Sequence, residues 1–91
     1  MELKWTSKAL SDLARLYDFL VLASKPAAAR TVQSLTQAPV ILLTHPRMGE
    51  QLFQFEPREV RRIFAGEYEI RYELNGQTIY VLLLWHTREN R

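Results

Sequence analysis

The 91-residue sequence contains no cysteine and only two histidines, His45 and His86. Without cysteine, neither a disulfide framework nor a thiolate metal site can form, and the chain is compatible with a reducing compartment. Two histidines are too few for the usual nitrogen and sulfur ligand set of a structural zinc ion. We therefore expect neither a bound metal nor another cofactor.

Long hydrophobic runs are also absent. No run approaches the roughly 20 apolar residues that a membrane helix needs. The first residues lack the basic start and apolar core of a secretory signal, so we expect a cytoplasmic protein. With 47% hydrophobic residues in a chain of this length, one core can be buried but not two, which predicts a single domain spanning residues 1–91.

The charge of the chain is mild, at a formal net value of +2. All three lysines lie in the first 25 residues, and from residue 47 onward the arginines are matched one for one by glutamates. A protein that binds nucleic acid by itself usually concentrates uncompensated cations, because its affinity comes mainly from contacts with phosphates. We therefore do not expect direct nucleic-acid binding by this chain alone.

The stretch from residue 59 to residue 86 carries the clearest structural pattern. Two strand-like runs flank Asn75-Gly76, a pair that favours a two-residue type I′ turn because both turn positions need positive φ. The sequence therefore predicts a β-hairpin whose register is fixed by that turn. The cross-strand pairs on its apolar face would be Leu74 with Gln77, Tyr72 with Ile79, Ile70 with Val81, Tyr68 with Leu83 and Gly66 with Trp85.

The opposite face of the predicted hairpin mixes charged and apolar side chains. Its predicted pairs are Glu73 with Thr78, Arg71 with Tyr80, Glu69 with Leu82 and Glu67 with Leu84, and His86 extends the row. Tyr80, Leu82 and Leu84 would then form an apolar strip on a charged face, which is typical of a surface that a partner covers. The pairing of Arg71 with Tyr80 also has a simpler explanation, a cation–π contact between neighbouring strands.

Two helices are predicted before the hairpin. Residues 2–5 alternate as in a short strand, Thr6 or the next residue can cap a helix, and that helix runs from residue 8 to about residue 23. Its apolar positions are Leu10, Leu13, Leu16, Tyr17 and Leu20, while Asp12 falls on another side. A second helix is predicted from Pro26 toward residue 44, with a kink or break near Pro39 because an interior proline removes a backbone hydrogen bond.

The remaining segments predict further strands. Residues 52–55 form one candidate, and residues 60–65 alternate in a way that adds a strand next to the hairpin. The order of strand, two helices and then a run of strands predicts an α+β fold. We expect a short N-terminal strand and a two-helix antiparallel hairpin packed on one face of a mostly antiparallel sheet.

Four short motifs, none of them specific alone, occur in a recognisable order. They are Ala9-x-x-Asp12-Leu13, Val60-Arg-Arg-Ile63, Tyr68-Glu-Ile-Arg-Tyr72 and Leu84-Trp-His-Thr-Arg88. Their order and spacing resemble the toxins of the RelE/ParE superfamily from bacterial type II toxin–antitoxin systems, over essentially the whole chain. The last motif is similar to the His-x-Arg ending that is frequent in the ParE branch.

The resemblance to the ParE branch implies a function and partners. A ParE-like toxin is expected to inhibit DNA gyrase as a binding protein rather than as an enzyme, in a module linked to growth inhibition and plasmid stabilisation. A cognate antitoxin of the ParD or RelB type would neutralise it, covering either the apolar strip or the groove of the helical hairpin. The residues expected to contact the target are Arg58, Arg61, Arg88 and Arg91, and those expected to contact the antitoxin are Tyr80, Leu82 and Leu84.

The RelE branch of the same superfamily implies an alternative, a ribosome-dependent endoribonuclease that cuts messenger RNA. Such an enzyme needs a base, an acid and cations around the scissile phosphate. Arg62, Arg71 and Arg88 could hold the phosphate, and His86 could transfer protons. Each residue also has a structural alternative, because His86 can simply cap a strand and the arginines can form surface ion pairs. A third possibility is a degenerate member that binds its antitoxin and does little else.

Overall fold

A computed structural model of the chain describes residues 1–89 and shows a five-stranded sheet with two α-helices. The elements are β1 (Glu2–Trp5), α1 (Ser7–Leu20), α2 (Lys25–Gln37), a 3₁₀ segment (Ala38–Leu43), β2 (Glu50–Gln51), a 3₁₀ turn (Phe53–Phe55), β3 (Glu59–Ala65), β4 (Tyr68–Asn75) and β5 (Thr78–His86). Within residues 1–89, no helix combines the length and hydrophobicity needed to cross a bilayer.

The sheet has the strand order β1-β5-β4-β3-β2. β1 is parallel to β5, and the other three pairings are antiparallel. Both helices contribute to a core on one face of this sheet, where Ala9 of α1 and Leu35 of α2 pack with buried residues of β4 and β5. The predicted α+β class, with helices on one face of a mostly antiparallel sheet, is confirmed.

Helix α1 is fastened to the sheet by its N-cap residue, Thr6. The Thr6 hydroxyl oxygen accepts a hydrogen bond from the Ala9 N–H (3.2 Å) and the hydroxyl lies 2.8 Å from the Val81 carbonyl, to which it donates. The predicted cap is therefore confirmed, although the helix ends at Leu20 rather than near residue 23. Leu10, predicted in the apolar face, is 52% exposed, so the buried side of α1 is narrower than the sequence pattern suggested.

Helix α2 ends where the sequence predicted a break. Ser24 caps its start, Pro26 lies in the first turn, and the α-helix stops at Gln37. Pro39 then lies inside the 3₁₀ segment and is buried. Since proline has no N–H to donate to the preceding turn, the chain cannot continue the α-helical ladder there.

The strand predicted at residues 52–55 is wrong. The strand β2 lies two residues earlier, and residues 53–55 form a 3₁₀ turn. The N–H of Leu52 still bonds to the Val60 carbonyl (2.8 Å), but Phe55 then bonds back to the carbonyl of Leu52 (3.2 Å). The chain must reverse within a few residues to start β3, and this need overrides the strand-like pattern.

The hairpin of β4 and β5 is confirmed, but its turn differs from the predicted type. Gly76 has φ of +62°, and within residues 1–89 only glycines have positive φ, so Asn75 cannot occupy a type I′ position. The two turn residues are instead Gly76 and Gln77, and Asn75 pairs with Thr78. A glycine at the first turn position, followed by a residue with negative φ, fits a type II′ turn.

A β-bulge in β5 changes the register a second time. Tyr72 pairs with Val81, but the preceding residue Arg71 pairs with Leu83, so Leu82 is an extra residue without a partner on β4. Because side chains alternate along a strand, the extra residue exchanges the faces of everything that follows it. The observed pairs beyond the bulge are Arg71 with Leu83, Ile70 with Leu84, Glu69 with Trp85 and Tyr68 with His86.

The bulge removes the predicted apolar strip. Leu84 turns to the helical side, packs with Ile70 in the core and is only 3% exposed. Tyr80 lies opposite Glu73 on the face without helices, and Leu82 is the bulged residue. Placing Leu84 beside Tyr80 and Leu82 on a charged surface was therefore wrong, because the register was extrapolated from the turn without the bulge.

A second part of the core depends on Tyr72, which is fully buried with Leu42 and Ile79. Its hydroxyl donates to the Pro46 carbonyl (2.8 Å) and accepts from the Gly49 N–H (3.0 Å). Burial raises the pKa of Tyr72 above its ordinary value. A Cβ on Gly49 would lie 2.6 Å from the Arg62 carbonyl oxygen, so only glycine fits where this loop meets the sheet.

Two leucines test the observed faces against the sequence pattern. Leu84→Ala should lower the free energy of unfolding by about 2–5 kcal/mol, because it opens a cavity in the core. Leu10→Ala should change it by less than about 0.5 kcal/mol, because Leu10 is exposed. Urea denaturation of the two variants and the parent chain measures both effects. A larger loss for Leu10→Ala than for Leu84→Ala would contradict the bulged register.

Candidate functional site

A concave groove lies between α1 and the end of β5, and we call it the α1–β5 groove. Its volume is about 580 Å³. It is lined by Asp12, Arg15, Leu16, Phe19, Leu20, Tyr68, Leu84, Trp85, His86, Arg88 and Glu89. The lining is mostly apolar, and the rim carries arginines, which is the usual composition of a site that takes an apolar ligand or side chains of a partner.

The buried residue Asp12 connects the two walls of the α1–β5 groove. β1 ends opposite Val81, so the outer edge of β5 beyond that point has no neighbouring strand. The Asp12 carboxylate replaces the missing strand there, because it accepts a hydrogen bond from the Leu84 N–H (3.2 Å). Arg15 donates to the same carboxylate (2.7 Å), and Lys8 forms an ion pair with it. These contacts offset the cost of burying a side chain that is only 3% exposed.

The sequence pattern identifies Asp12 only as part of a motif and predicts no contact for it, because helical periodicity places it away from the core. Two signals could have identified it. Lys8 and Arg15 lie four residues before and three residues after it, on the same side of a helix. It also follows the Thr6 cap by six residues, which places it in the part of α1 that lies along the edge of β5.

His86 caps the end of β5. Its Nδ1 accepts a hydrogen bond from the Arg88 N–H (3.0 Å), and its ring packs edge-to-face on Tyr68 with centroids 5.1 Å apart. Its Nε2 lies 3.6 Å from the Glu67 carboxylate, which also lies 3.5 Å from Arg88. These contacts match the structural alternative for His86, a histidine that closes a strand end with a hydrogen bond.

The face of the sheet without helices carries a second cluster, built around Glu69. This carboxylate is 5% exposed and accepts hydrogen bonds from Arg71 Nε (2.7 Å), Trp85 Nε1 (3.3 Å) and Arg62 (3.4 Å). The predicted pair of Arg71 with Tyr80 is not present, because the bulge places Leu83 opposite Arg71. Instead the Arg71 guanidinium lies over the rings of Trp85, at 4.4 Å, and Phe55, at 5.9 Å.

The four residues considered for a nuclease do not form one site. Arg62 and Arg71 lie on the face without helices, where Glu69 and Glu50 compensate their charge. The hydrogen bond with Glu50 raises the pKa of Arg62 above its ordinary value. His86 and Arg88 line the α1–β5 groove instead. Among residues 1–89 no group of three or more acidic or histidine side chains could hold a metal ion.

The arginines considered for target contacts lie in different environments. Arg61 is mostly buried and donates to the Gly49 carbonyl (2.8 Å) and to Glu59 (2.9 Å), so it holds the loop before β2. Arg58 is half exposed and binds Glu73 (2.7 Å). Arg88 is 81% exposed at the groove rim. Arg91 lies outside the described residues.

The fold and the open groove define a small α+β binding domain, and comparison with known proteins narrows this class. The chain is similar to a solved structure described as the chromosomal ParDE TA system from P. aeruginosa, with a TM-score of 0.80 and 27% sequence identity. The match covers 94% of this chain and 95% of that chain. No curated protein sequence matches the chain.

The particular family follows from a match over nearly the whole chain. The family model of the ParE toxin of type II toxin-antitoxin system, parDE, matches residues 3–91. The chain therefore belongs to the ParE toxin family, which confirms the predicted resemblance. Membership in a toxin–antitoxin family implies an antitoxin partner.

The role of Asp12 can be tested by removing its acceptor oxygen. Asp12→Ala should lower the free energy of unfolding by about 1–3 kcal/mol, because the Leu84 N–H loses its hydrogen-bond partner. Asp12→Asn should cost less, since its amide oxygen can still accept. Asp18→Ala removes an exposed carboxylate from the same helix and serves as the control. Equal losses of unfolding free energy for Asp12→Ala and Asp18→Ala in urea denaturation would show that the hydrogen bond from the Leu84 N–H to Asp12 does not stabilise the fold.

Proposed function

We propose that this ParE-family toxin inhibits DNA gyrase in the bacterial cytoplasm and that a cognate antitoxin neutralises it by covering the α1–β5 groove. Gyrase inhibition is carried by membership in the ParE family and by the ParE-like end of β5. Neutralisation through the groove is carried by one structural observation, an open apolar groove on a chain whose family implies an antitoxin. A module of this kind would arrest growth when the toxin is released, and would stabilise a plasmid that carries it.

The groove favours a partner that inserts side chains. Phe19 is 70% exposed at its wall, an unusual environment for so large an apolar side chain, and Leu84 forms its floor. A partner strand cannot add to β5 at this point, because the Leu84 N–H is bound by Asp12 and the His86 N–H by the Glu89 carboxylate (3.1 Å). An amphipathic helix of the antitoxin fits these constraints better, since it presents apolar side chains and needs no backbone partner.

The charge at the rim indicates the chemistry of the antitoxin segment. Arg15 is 71% exposed and Arg88 is 81% exposed, and they lie on opposite walls of the groove. An antitoxin helix with acidic residues beside its apolar stripe would complement both. This proposal replaces the predicted strip as the antitoxin surface, because Leu84 is reached only from within the groove and Tyr80 lies on the other face of the sheet.

The endoribonuclease alternative receives no support from the geometry. Two of its cations, Arg62 and Arg71, hold carboxylates on one face of the sheet, whereas His86 and the third cation, Arg88, lie at the groove on the other side. A base and phosphate-binding cations must converge within hydrogen-bond reach of one phosphate. A binding protein that acts on gyrase needs no such convergence.

Gyrase inhibition can be tested beside translation with purified protein. We expect the chain to inhibit DNA supercoiling by gyrase and to stabilise its cleaved DNA complex, while in vitro translation continues at the normal rate. Adding the cognate antitoxin should restore supercoiling. Translation arrest with cuts at fixed codon positions, abolished by His86→Ala, would instead establish the ribonuclease.

The antitoxin site can be tested with a matched pair of charge substitutions on neighbouring exposed residues. Phe19→Glu should weaken antitoxin binding at least about tenfold, because it places a carboxylate on the apolar wall of the groove. Leu22→Glu introduces the same charge at a residue that is 83% exposed and does not line the groove. Titration calorimetry measures both affinities. Equal affinity of the two variants would remove the groove from the interface.

A further inference from the structure

We infer that the face of the sheet without helices is the surface through which the toxin contacts its protein target, by accepting a carboxylate side chain of that protein on Arg71. This inference rests on the proposed function, because it identifies the surface of the toxin that would contact gyrase. We call the residues concerned the arginine–aromatic surface. It comprises Arg62, Phe64, Glu69, Arg71 and Trp85.

The arginine–aromatic surface is held in a fixed arrangement before any partner binds. The Glu69 carboxylate is almost fully buried and receives hydrogen bonds from both arginines and from Trp85. Arg71 is also held from a second direction, because the central carbon of its guanidinium lies 4.4 Å from the centroid of the Trp85 ring. A side chain ordered in advance loses less conformational entropy when a partner binds it.

Arg71 has donors left for a ligand. Its Nε binds Glu69, and within residues 1–89 neither of its two terminal nitrogens has a hydrogen-bond acceptor. Two terminal N–H groups in one plane are the arrangement that holds a carboxylate with two parallel hydrogen bonds. The rings of Trp85 and Phe55 both lie near this guanidinium, so we expect a ligand to reach it at its edge.

Apolar contact area lies next to this cation. Phe64 faces the same side of the sheet as Glu69, its partner on β4, and is 55% exposed. Arg62 covers part of its ring, with its central carbon 5.3 Å from the ring centroid. Arginine and tryptophan are the side chains most often found at the energetic centre of protein interfaces, and an exposed phenylalanine beside them supplies an anchor.

The charge of this face favours a protein over DNA. Glu50 and Glu69 compensate Arg62, and Glu73 compensates Arg58 farther along the same face. A duplex presents a continuous row of phosphates, so tight binding to it requires several uncompensated cations. Binding a single aspartate or glutamate on a protein surface, flanked by apolar side chains, requires only the terminal N–H groups of one arginine.

The two faces of the sheet would then serve different partners. The α1–β5 groove lies on the helical side, whereas Phe64 and Arg71 point to the opposite side. Substitutions on the arginine–aromatic surface should therefore reduce toxicity without reducing affinity for the antitoxin.

The experiment uses Arg71→Gln and Phe64→Ser, with Arg47→Gln as the control. Arg47 is also an arginine paired with a glutamate, but it is 67% exposed whereas Arg71 is 19% exposed, and its partner Glu59 faces the helical side. We expect the first two variants to bind gyrase holoenzyme about 30-fold more weakly in the absence of DNA. Both should lose growth arrest on induced expression, and Arg47→Gln should behave as the parent chain. Antitoxin affinity within twofold of the parent value establishes that each variant is folded.

The outcomes separate this inference from the proposed function. If the parent chain arrests growth without inhibiting gyrase, and the two variants do not arrest growth, the target differs but the surface stands. If Arg71→Gln and Phe64→Ser bind gyrase and arrest growth like the parent chain, the inference is overturned. It is also overturned if the variants lose affinity only for a linear DNA duplex, because that result would make DNA the partner of this face.

Discussion

The unpaired residue Leu82 determines which side chains at the end of the last strand reach the core. A strand without a bulge would place Leu84 among charged residues and Trp85 in the core. With one extra residue, Leu84 packs under the helices, while Trp85 joins Glu69 and Arg71 on the other face. Both surfaces to which we assign partners therefore depend on a single change of register, because it exchanges every side chain that follows it.

The outer edge of β5 also needs partners for its backbone groups, because β5 continues beyond the end of β1. An uncovered edge offers unpaired backbone groups to other chains. Here the hydroxyl of Thr6, which caps α1, and the carboxylate of Asp12, within α1, take the place of a neighbouring strand. Fastening α1 to β5 in this way also fixes the two walls of the groove. The contacts that satisfy the edge are thus the contacts that shape the groove we propose as the antitoxin site.

The toxin offers two faces of one sheet that differ in their physical character. The helical side is apolar where it is open, so a partner there is held mainly by removal of apolar surface from water. The other side carries arginines and aromatic rings ordered by a buried carboxylate, and this arrangement gives orientation and specificity to a polar contact. Under these proposals, this division would let a chain of 91 residues bind its antitoxin on one surface and its target on another.

The sequence by itself determined the elements whose cause is local. The Thr6 cap, the break at Pro39, the hairpin around Gly76 and the α+β order all follow from neighbouring residues, and the motifs indicated the ParE family. Only the tertiary structure decided the bulge at Leu82, the burial of Asp12 and the partners of Arg71. These features depend on where β1 ends and on which elements pack together, so no short stretch of sequence contains them. In a regular strand, the alternation of residues predicts which face of the sheet a side chain lies on. After a bulge adds one residue, that face depends on how the whole sheet is paired.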